Sequence, residues 1–269
     1  MSPRVMAFAN HKGGVGKTAT TTGLAAAIAA KGGRALLIDM DPQGNATTGV
    51  GVVCDDSKPN VAHILGQLNR GGAGECITPT SWDGVDIIPA GLDLSHIAKS
   101  GDEDIPWRLK LALEGADLSQ YTAVLIDCPP SVGRLLFAAL MAADGVVGVI
   151  KPEVDSVKGF RDVETILEKV QAITGGPELQ KIIISDKDSR WSSHDFHEGE
   201  LRRYYGDLVA RTIVPHLTAR ADAHESQQSP YAWTRGKAVS LRVAYDGLLD
   251  ELGLKVDGRK NNGAQISTP

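Results

Sequence analysis

Six stretches of the chain are continuously apolar rather than alternating: 4–10 (RVMAFAN), 35–41 (ALLIDMD), 85–91 (VDIIPAG), 123–130 (AVLIDCPP), 145–152 (GVVGVIKP) and 181–185 (KIIIS). A strand that alternates apolar and polar residues buries one face. A strand that is apolar throughout is covered on both, as in a parallel sheet. Helix-like stretches separate these runs, at 18–31, 60–69, 92–99, 106–115, 133–142, 156–173, 197–206 and 237–252. The first is Ala-rich and stops at Gly32-Gly33, a helix-terminating signal. This alternation predicts an α/β fold, with a mostly parallel, twisted β-sheet carrying helices on both faces. Residues 51–60 and 70–84 read as loops. The segment 253–269 is polar and expected to fray, which leaves residues 1–252 as one domain.

Composition narrows the picture. A chain of 269 residues is long enough for a full core. Its net charge of −5 gives no global attraction to nucleic acid, so any such contact needs a local patch. Cys54, Cys76 and Cys128 lie far apart without a CxxC pair. That spacing argues against a disulfide framework or a sequence-local metal site and fits a reducing compartment. MSPRVMAFAN lacks the apolar core and cleavage site of a secretory leader. No apolar run approaches 18 residues. A cytoplasmic location without a membrane span is therefore expected.

The most specific chemistry lies at 11–18, HKGGVGKT. Gly13, Gly14 and Gly16 have no Cβ, so their N–H groups can turn toward phosphate oxygens. Val15 and Ala19 complete the loop, and their backbone N–H groups face the same ligand. Lys17 would reach the β- and γ-phosphates, and the Thr18 hydroxyl would hold Mg²⁺. A strand precedes the loop and a helix follows it, so the polyphosphate would sit at a helix N-terminus. This is the context of a single P-loop NTPase domain. The strict pattern fails at one place: His11 stands where the first glycine belongs. A second lysine, Lys12, directly precedes the glycine pair.

Two acidic motifs support the loop. Asp39 and Asp41 end one apolar run, and strand alternation sends both side chains to one side. Asp127 ends another, the position of a Walker B aspartate. An aspartate after a strand is by itself more often a cap or turn residue. Three of them at strand ends alongside a phosphate loop point to a Mg²⁺ shell and a positioned water.

KGGVGKT, DMDPQGNATT and VLIDCPPS, in that order and spacing, resemble the deviant Walker ATPases of the ParA/MinD family, in particular the ParA (Soj-like) partition ATPases. NVAHILG (60–66), VDIIPAG (85–91), EVDSVKG (153–159), DSR (188–190) and IVPHLTARADA (213–223) extend the resemblance across residues 4–252. It implies an ATP- and Mg²⁺-dependent homodimer in which two subunits sandwich the nucleotides. Lys12 matches the lysine that crosses to the partner's phosphates, while Lys17 acts within its own subunit. Asp41 matches the aspartate that positions the attacking water. Asp39 and Asp127 match carboxylates near the Mg²⁺ shell. Ser185 and Pro215 align with adenine-reading positions. Ala19 departs from a frequent threonine whose hydroxyl lies near the α-phosphate.

The resemblance further implies non-specific binding of double-stranded DNA by the ATP dimer, location on the nucleoid, and a ParB-like centromere-binding protein that stimulates hydrolysis. Residues 201–242 hold seven basic side chains against three acidic ones. Arg202, Arg203, Arg220, Arg235 and Lys237 from this stretch, with Arg190 of DSR, are the candidate DNA contacts. The sequence starts almost directly on RVMAF, so site-specific repression through an N-terminal helix-turn-helix is not expected. Three other readings share the nucleotide chemistry: an ATPase positioning a non-DNA cargo over the nucleoid, a MinD-like membrane ATPase, and a metabolic enzyme of the superfamily. Beyond Gly253 only Leu254, Val256 and Ile266 are large and apolar, a poor membrane helix.

Overall fold

The structure is a computed structural model that describes residues 2–55, 57–67 and 69–256. Its elements run β1 (Arg4–Ala9), α1 (Lys17–Ala30), β2 (Ala35–Asp39), α2 (Asn45–Gly49), α3 (Val61–Gly66), β3 (Thr78–Pro79), β4 (Val85–Ile88), α4 (Leu94–Lys99) and α5 (Ile105–Leu113). There follow β5 (Ala123–Asp127), α6 (Arg134–Ala142), β6 (Gly145–Ile150), α7 (Val154–Thr174), β7 (Glu178–Ile184), α8 (Ser192–Tyr205), α9 (Thr218–Glu225) and α10 (Ala238–Glu251). The strands form one sheet in the order β3-β4-β2-β5-β1-β6-β7. Every pairing is parallel except β3 with β4.

Continuous apolar runs become strands buried on both faces. Within β1, Met6 and Phe8 enter one core while Ala7 and Ala9 enter the other. Leu37 and Leu125 share the first side, and Leu36, Ile38, Val124 and Ile126 share the second. The first core is closed by α1 and α10, the second by α3 to α7. Contact between α1 and α10 is close because α1 carries Gly23: a Cβ there would stand 2.3 Å from the Tyr245 ring. Tyr245 is fully buried, and its hydroxyl donates to the Ala19 carbonyl at 3.0 Å. That bond ties α10 to the first turn of the helix leaving the phosphate loop.

The helices and strands read from the sequence recur with shifted ends, and the shifts have reasons. β7 begins three residues before 181 because it is an edge strand, where exposed Glu178 and half-buried Leu179 and Gln180 are tolerated. α8 begins at Ser192 and not 197, since its first turn is polar and only His194 is buried there. Short elements occupy the stretch 70–84 read as a loop: a 3₁₀ turn at Gly72–Cys76 and the two-residue β3. Neither α2 nor α9 is evident from the sequence. α2 is built of NATTG, poor in helix formers. α9 buries only Ala219 and Ala223, too small a stripe to stand out. Leu254 is buried, so packed chain extends two residues past 252; residues 257–269 of the expected polar tail lie outside the described residues. Among the described residues no helix is long and apolar enough to cross a membrane.

Candidate nucleotide-binding site

The phosphate loop is clamped before it turns. Asn10, buried at the end of β1, donates from Nδ2 to the carbonyls of Val149 (2.8 Å) and Ser156 (3.1 Å), while its Oδ1 accepts from Lys12 N–H at 2.9 Å. His11 N–H donates to the Gly159 carbonyl at 3.2 Å, and Gly159 lets α7 approach, because a Cβ there would stand 2.9 Å from Lys12 N. Gly14 and Gly16 have φ of +73° and +91°, the left-handed region that glycine tolerates. Gly16 is also crowded: its Cβ would lie 2.4 Å from Ser185 Oγ. Val15 points into the core, so only its backbone is available to a ligand.

The loop opens on a cleft of about 420 Å³ bounded by Gly13, Gly14, Gly16 and Lys17 to Ala19 on one side and by Asp41, Gln43 and Asn45 on another. Arg220 and His224, from α9, close a third side. Lys17 is 6% exposed and its Nζ donates to the Lys12 carbonyl at 3.2 Å. Burial lowers its pKa, and the Coulombic pull of Asp127, Cys128 and Asp41 partly restores it.

The three aspartates converge because β2 and β5 are neighbours in register, Asp39 opposite Asp127. Their environments differ. Asp39 is fully enclosed; Oδ1 accepts from Asp41 N–H (3.1 Å), and Oδ2 accepts from Thr47 N–H (2.8 Å) and the Thr47 hydroxyl (2.7 Å). Burial pushes its pKa up to about 6 against the pull of those hydrogen bonds. Asp39 thus works as a latch that holds the 41–47 turn and α2 against the sheet. Asp41 faces the cleft, with Oδ1 accepting from Gln43 N–H at 3.0 Å. Asp127 is 1% exposed, and neither of its carboxylate oxygens has a hydrogen-bond partner among the described residues. Burial and the nearby Asp39 push its pKa well above the carboxylate range, with Thr18 and Lys17 acting the other way.

A buried carboxylate with both oxygens open is costly unless a cation meets it. Thr18 and Asp127 offer the oxygen donors that a hard divalent ion prefers. The site therefore fits Mg²⁺ shared with a phosphate ligand.

The two loop residues that break the common pattern both turn to α7. His11 Nδ1 lies 2.8 Å from Asp162 Oδ2, away from the phosphate cradle. Lys12 Nζ stands 3.6 Å from Asp155 Oδ2 with half of its side chain exposed. Lys12 and Lys17 are thus separated by environment, one outward and one enclosed.

The residues aligned with adenine reading are not drawn into the cleft. Ser185 is fully buried beside Gly16, and Pro215 lines a separate groove with Ser189 and Ser240. That groove brings the turn bearing Arg190 beside the start of α10, just after Lys237. Most of the basic candidates already hold a carboxylate: Arg190 with Asp188 (2.6 Å), Arg202 with Glu198 (2.8 Å), and Arg203 with Glu200 (2.7 Å). Arg202 also donates to the Ala210 carbonyl at 3.1 Å. Arg235 stacks over Trp233 at 5.8 Å. Arg220 stands apart from these, in the cleft. Asn10, Thr47, Arg220 and His224 were not read as nucleotide-site residues from the sequence. Thr47 lies inside DMDPQGNATT and Arg220 inside IVPHLTARADA, whereas His224 falls just beyond those segments.

A parallel sheet whose first strand delivers a glycine–lysine–threonine loop to a helix, faced by aspartates from two neighbouring strands, defines a P-loop nucleotide-binding protein. A model of the AAA domain family matches residues 3–180. The chain is 38% identical to the chromosome-partitioning ATPase Soj of Thermus thermophilus over 226 residues, 82% of this chain and 84% of that protein. It is 35% identical to the chromosome partitioning protein ParA of Caulobacter vibrioides over 216 residues, 79% of this chain and 80% of the relative. Among solved structures, cobyrinic acid a,c-diamide synthase of Mycobacterium smegmatis, with an ATP analogue and magnesium bound, superimposes with a TM-score of 0.75 at 28% identity, over 93% of this chain and 96% of that one. The chain belongs to the ParA/Soj family of partitioning ATPases.

Proposed function

We propose that this protein binds and hydrolyses ATP with Mg²⁺, and that two ATP-bound copies form a face-to-face dimer that holds double-stranded DNA without sequence preference. A ParB-like centromere-binding partner would stimulate hydrolysis and release the dimer from the nucleoid, so that DNA is segregated. The observation that carries this reading is the division of labour between two lysines of one loop. Lys17 is enclosed beside Asp41 and Asp127 and serves the phosphates of its own subunit. Lys12 stands outside on a weak, exposed pair with Asp155, free to exchange that carboxylate for a partner's phosphate. A cation supplied across an interface would stabilise charge on the transferring phosphoryl group.

In the same reading Asp41 orients the attacking water. Thr18 and Asp127 would hold Mg²⁺, which would neutralise phosphate charge. Asp39 acts behind them by fixing the turn that carries Asp41. Arg190, Arg203, Arg235 and Lys237 supply the DNA surface. The segment from 257 onward, where a MinD-like membrane helix would have to lie, is outside the described residues.

The test uses Asp41→Ala and random-sequence duplex DNA, with ATP–Mg²⁺ and without nucleotide. Tight binding is expected only with ATP. If the dimer neutralises about four phosphates, a fourfold rise in salt should weaken it about 100-fold. Absence of binding in both states, or an affinity independent of salt, would remove the DNA limb.

A further inference from the structure

Arg220 is the one DNA candidate that the fold carries away from the others. It sits on the first turn of α9, and α9 is seated firmly. Ala219 and Ala223 are buried, and His224 presses on α2 so closely that a Cβ at Gly49 would lie 2.3 Å from its ring. α2 is in turn latched to the sheet through Thr47 and Asp39. The Arg220 side chain is only 20% exposed.

Its two terminal nitrogens have different fates. Nη2 donates to Asp186 Oδ1 at 2.7 Å. Asp186 is a left-handed residue with φ +58°, and it also meets His216 Nδ1 at 2.9 Å and Lys151 Nζ at 3.5 Å. Burial works to raise the Asp186 pKa, but Arg220, His216 and Lys151 together hold it below the usual carboxylate range. The anchor is therefore a stable anion. Nη1, by contrast, is shut from solvent and has no hydrogen-bond partner among the described residues. It lies 3.1 Å from the Cβ position of Gly16, at the wall of the phosphate loop. A buried guanidinium N–H without an acceptor is costly, and a guanidinium fork is suited to phosphate oxygens.

We infer that Arg220 is a nucleotide-binding residue, anchored through Nη2 on Asp186 and presenting Nη1 to the phosphate chain on the Gly16–Ala19 side of the cleft. It supplies a donor next to Ala19, a position with no side-chain hydroxyl. The inference rests on the ATP-binding reading proposed above. It moves Arg220 from the DNA surface to the nucleotide, and it couples α9 to whether nucleotide is present.

The experiment measures binding of fluorescent ATP and ADP analogues, with Mg²⁺, to wild type, Lys17→Ala, Arg220→Gln and Arg220→Lys. Arg220→Gln leaves Asp186 paired with His216 and Lys151, so the fold should hold. It is expected to weaken ATP and ADP alike, on the order of 10- to 100-fold, the loss of one charge-assisted contact in a buried site. Arg220→Lys keeps a charge for Asp186 but lacks the second arm, and should fall between. DNA affinity at ATP concentrations that saturate each variant should equal that of wild type. If wild type binds and Lys17→Ala does not, while both Arg220 variants bind like wild type, the inference on Arg220 fails and the ATPase reading stands. Normal nucleotide affinity with weakened DNA binding in Arg220→Gln would return the residue to the DNA surface. Failure of wild type itself to bind would overturn both readings.

Discussion

The cleft and the basic stretch that follows β7 handle charge in opposite ways. In the cleft, charged groups are enclosed and left incompletely partnered: among the described residues, neither Asp127 oxygen has a hydrogen-bond partner within geometric range, and the buried Lys17 ammonium donates to the Lys12 carbonyl. In the basic stretch, Arg190 and Arg203 are largely exposed, yet each already holds a carboxylate. An enclosed, unsatisfied group costs free energy until a ligand arrives, so it marks a site prepared for one specific guest. An exposed pair costs little to make or break, which suits contacts that must be exchanged quickly.

The largest effect should come from the enclosed side. Lys17→Ala removes a cation that draws on Asp127 and the enclosed ammonium that the loop would offer to a β- or γ-phosphate. Nucleotide affinity is expected to fall about 100-fold or more, the scale of truncating one partner of a buried charge pair. Titration of a fluorescent ATP analogue checks this. A variant that binds within threefold of wild type would break the comparison, because the enclosed charge would then be structural.

Much of this side was legible in the sequence for a physical reason. Each key group is announced by its own neighbours: an apolar strand ending in Asp39, Asp41 or Asp127, or a strand, a glycine turn and a helix around Lys17. The parallel sheet followed from strands apolar on both faces. Other parts depend on contacts between distant residues and could not be read locally. The hold of Thr47, eight residues on, on the Asp39 carboxylate is one such contact. Arg220 reads as one more surface cation until α9 folds back over a loop 200 residues earlier. Ser185, aligned with an adenine-reading position, is buried beside Gly16, a contact between distant residues that no local pattern announces.

Asp127 sharpens the comparison through stability. A carboxyl whose folded pKa is raised binds more protons folded than unfolded across the interval between the two values. Its charged form therefore penalises the fold above the raised pKa, and the penalty is relieved as pH falls. For Asp39, raised from 3.8 to about 6, the shift corresponds to about 3 kcal/mol at neutral pH. Asp127 is shifted in the same direction, with burial and Asp39 outweighing Thr18 and Lys17, and should respond to neutralisation. Asp127→Asn is expected to stabilise the ligand-free protein by about 1–3 kcal/mol at pH 7.5, with the gain shrinking as pH falls toward the ordinary carboxylate range. Thermal unfolding of both proteins across that range measures it. The same variant should lose the stabilisation that Mg²⁺ with nucleotide gives the wild type. A lower melting temperature at pH 7.5 would show that the aspartate is not a stored penalty.

The smallest effects belong to the exposed side, and they test whether its carboxylates compete with DNA. Arg203 pairs with Glu200 within α8, three residues apart, and both side chains are substantially exposed. Such a pair contributes under about 1 kcal/mol to stability, so breaking it should leave the melting temperature nearly unchanged. If phosphate must displace Glu200, removing the glutamate charge should help DNA. Glu200→Gln is expected to raise affinity for duplex DNA about two- to fivefold in the ATP state, while Arg203→Ala should lower it and reduce the salt slope by about one per subunit. Arg202 provides the contrast. It is partly buried and bonded to both Glu198 and the Ala210 carbonyl, so Arg202→Ala should cost stability more than salt dependence. Fluorescence anisotropy over a salt series separates these outcomes. If Glu200→Gln leaves DNA affinity unchanged while Arg202→Ala flattens the salt slope, the DNA path runs along the buried edge of α8, and the division between enclosed and exchangeable charge does not hold there.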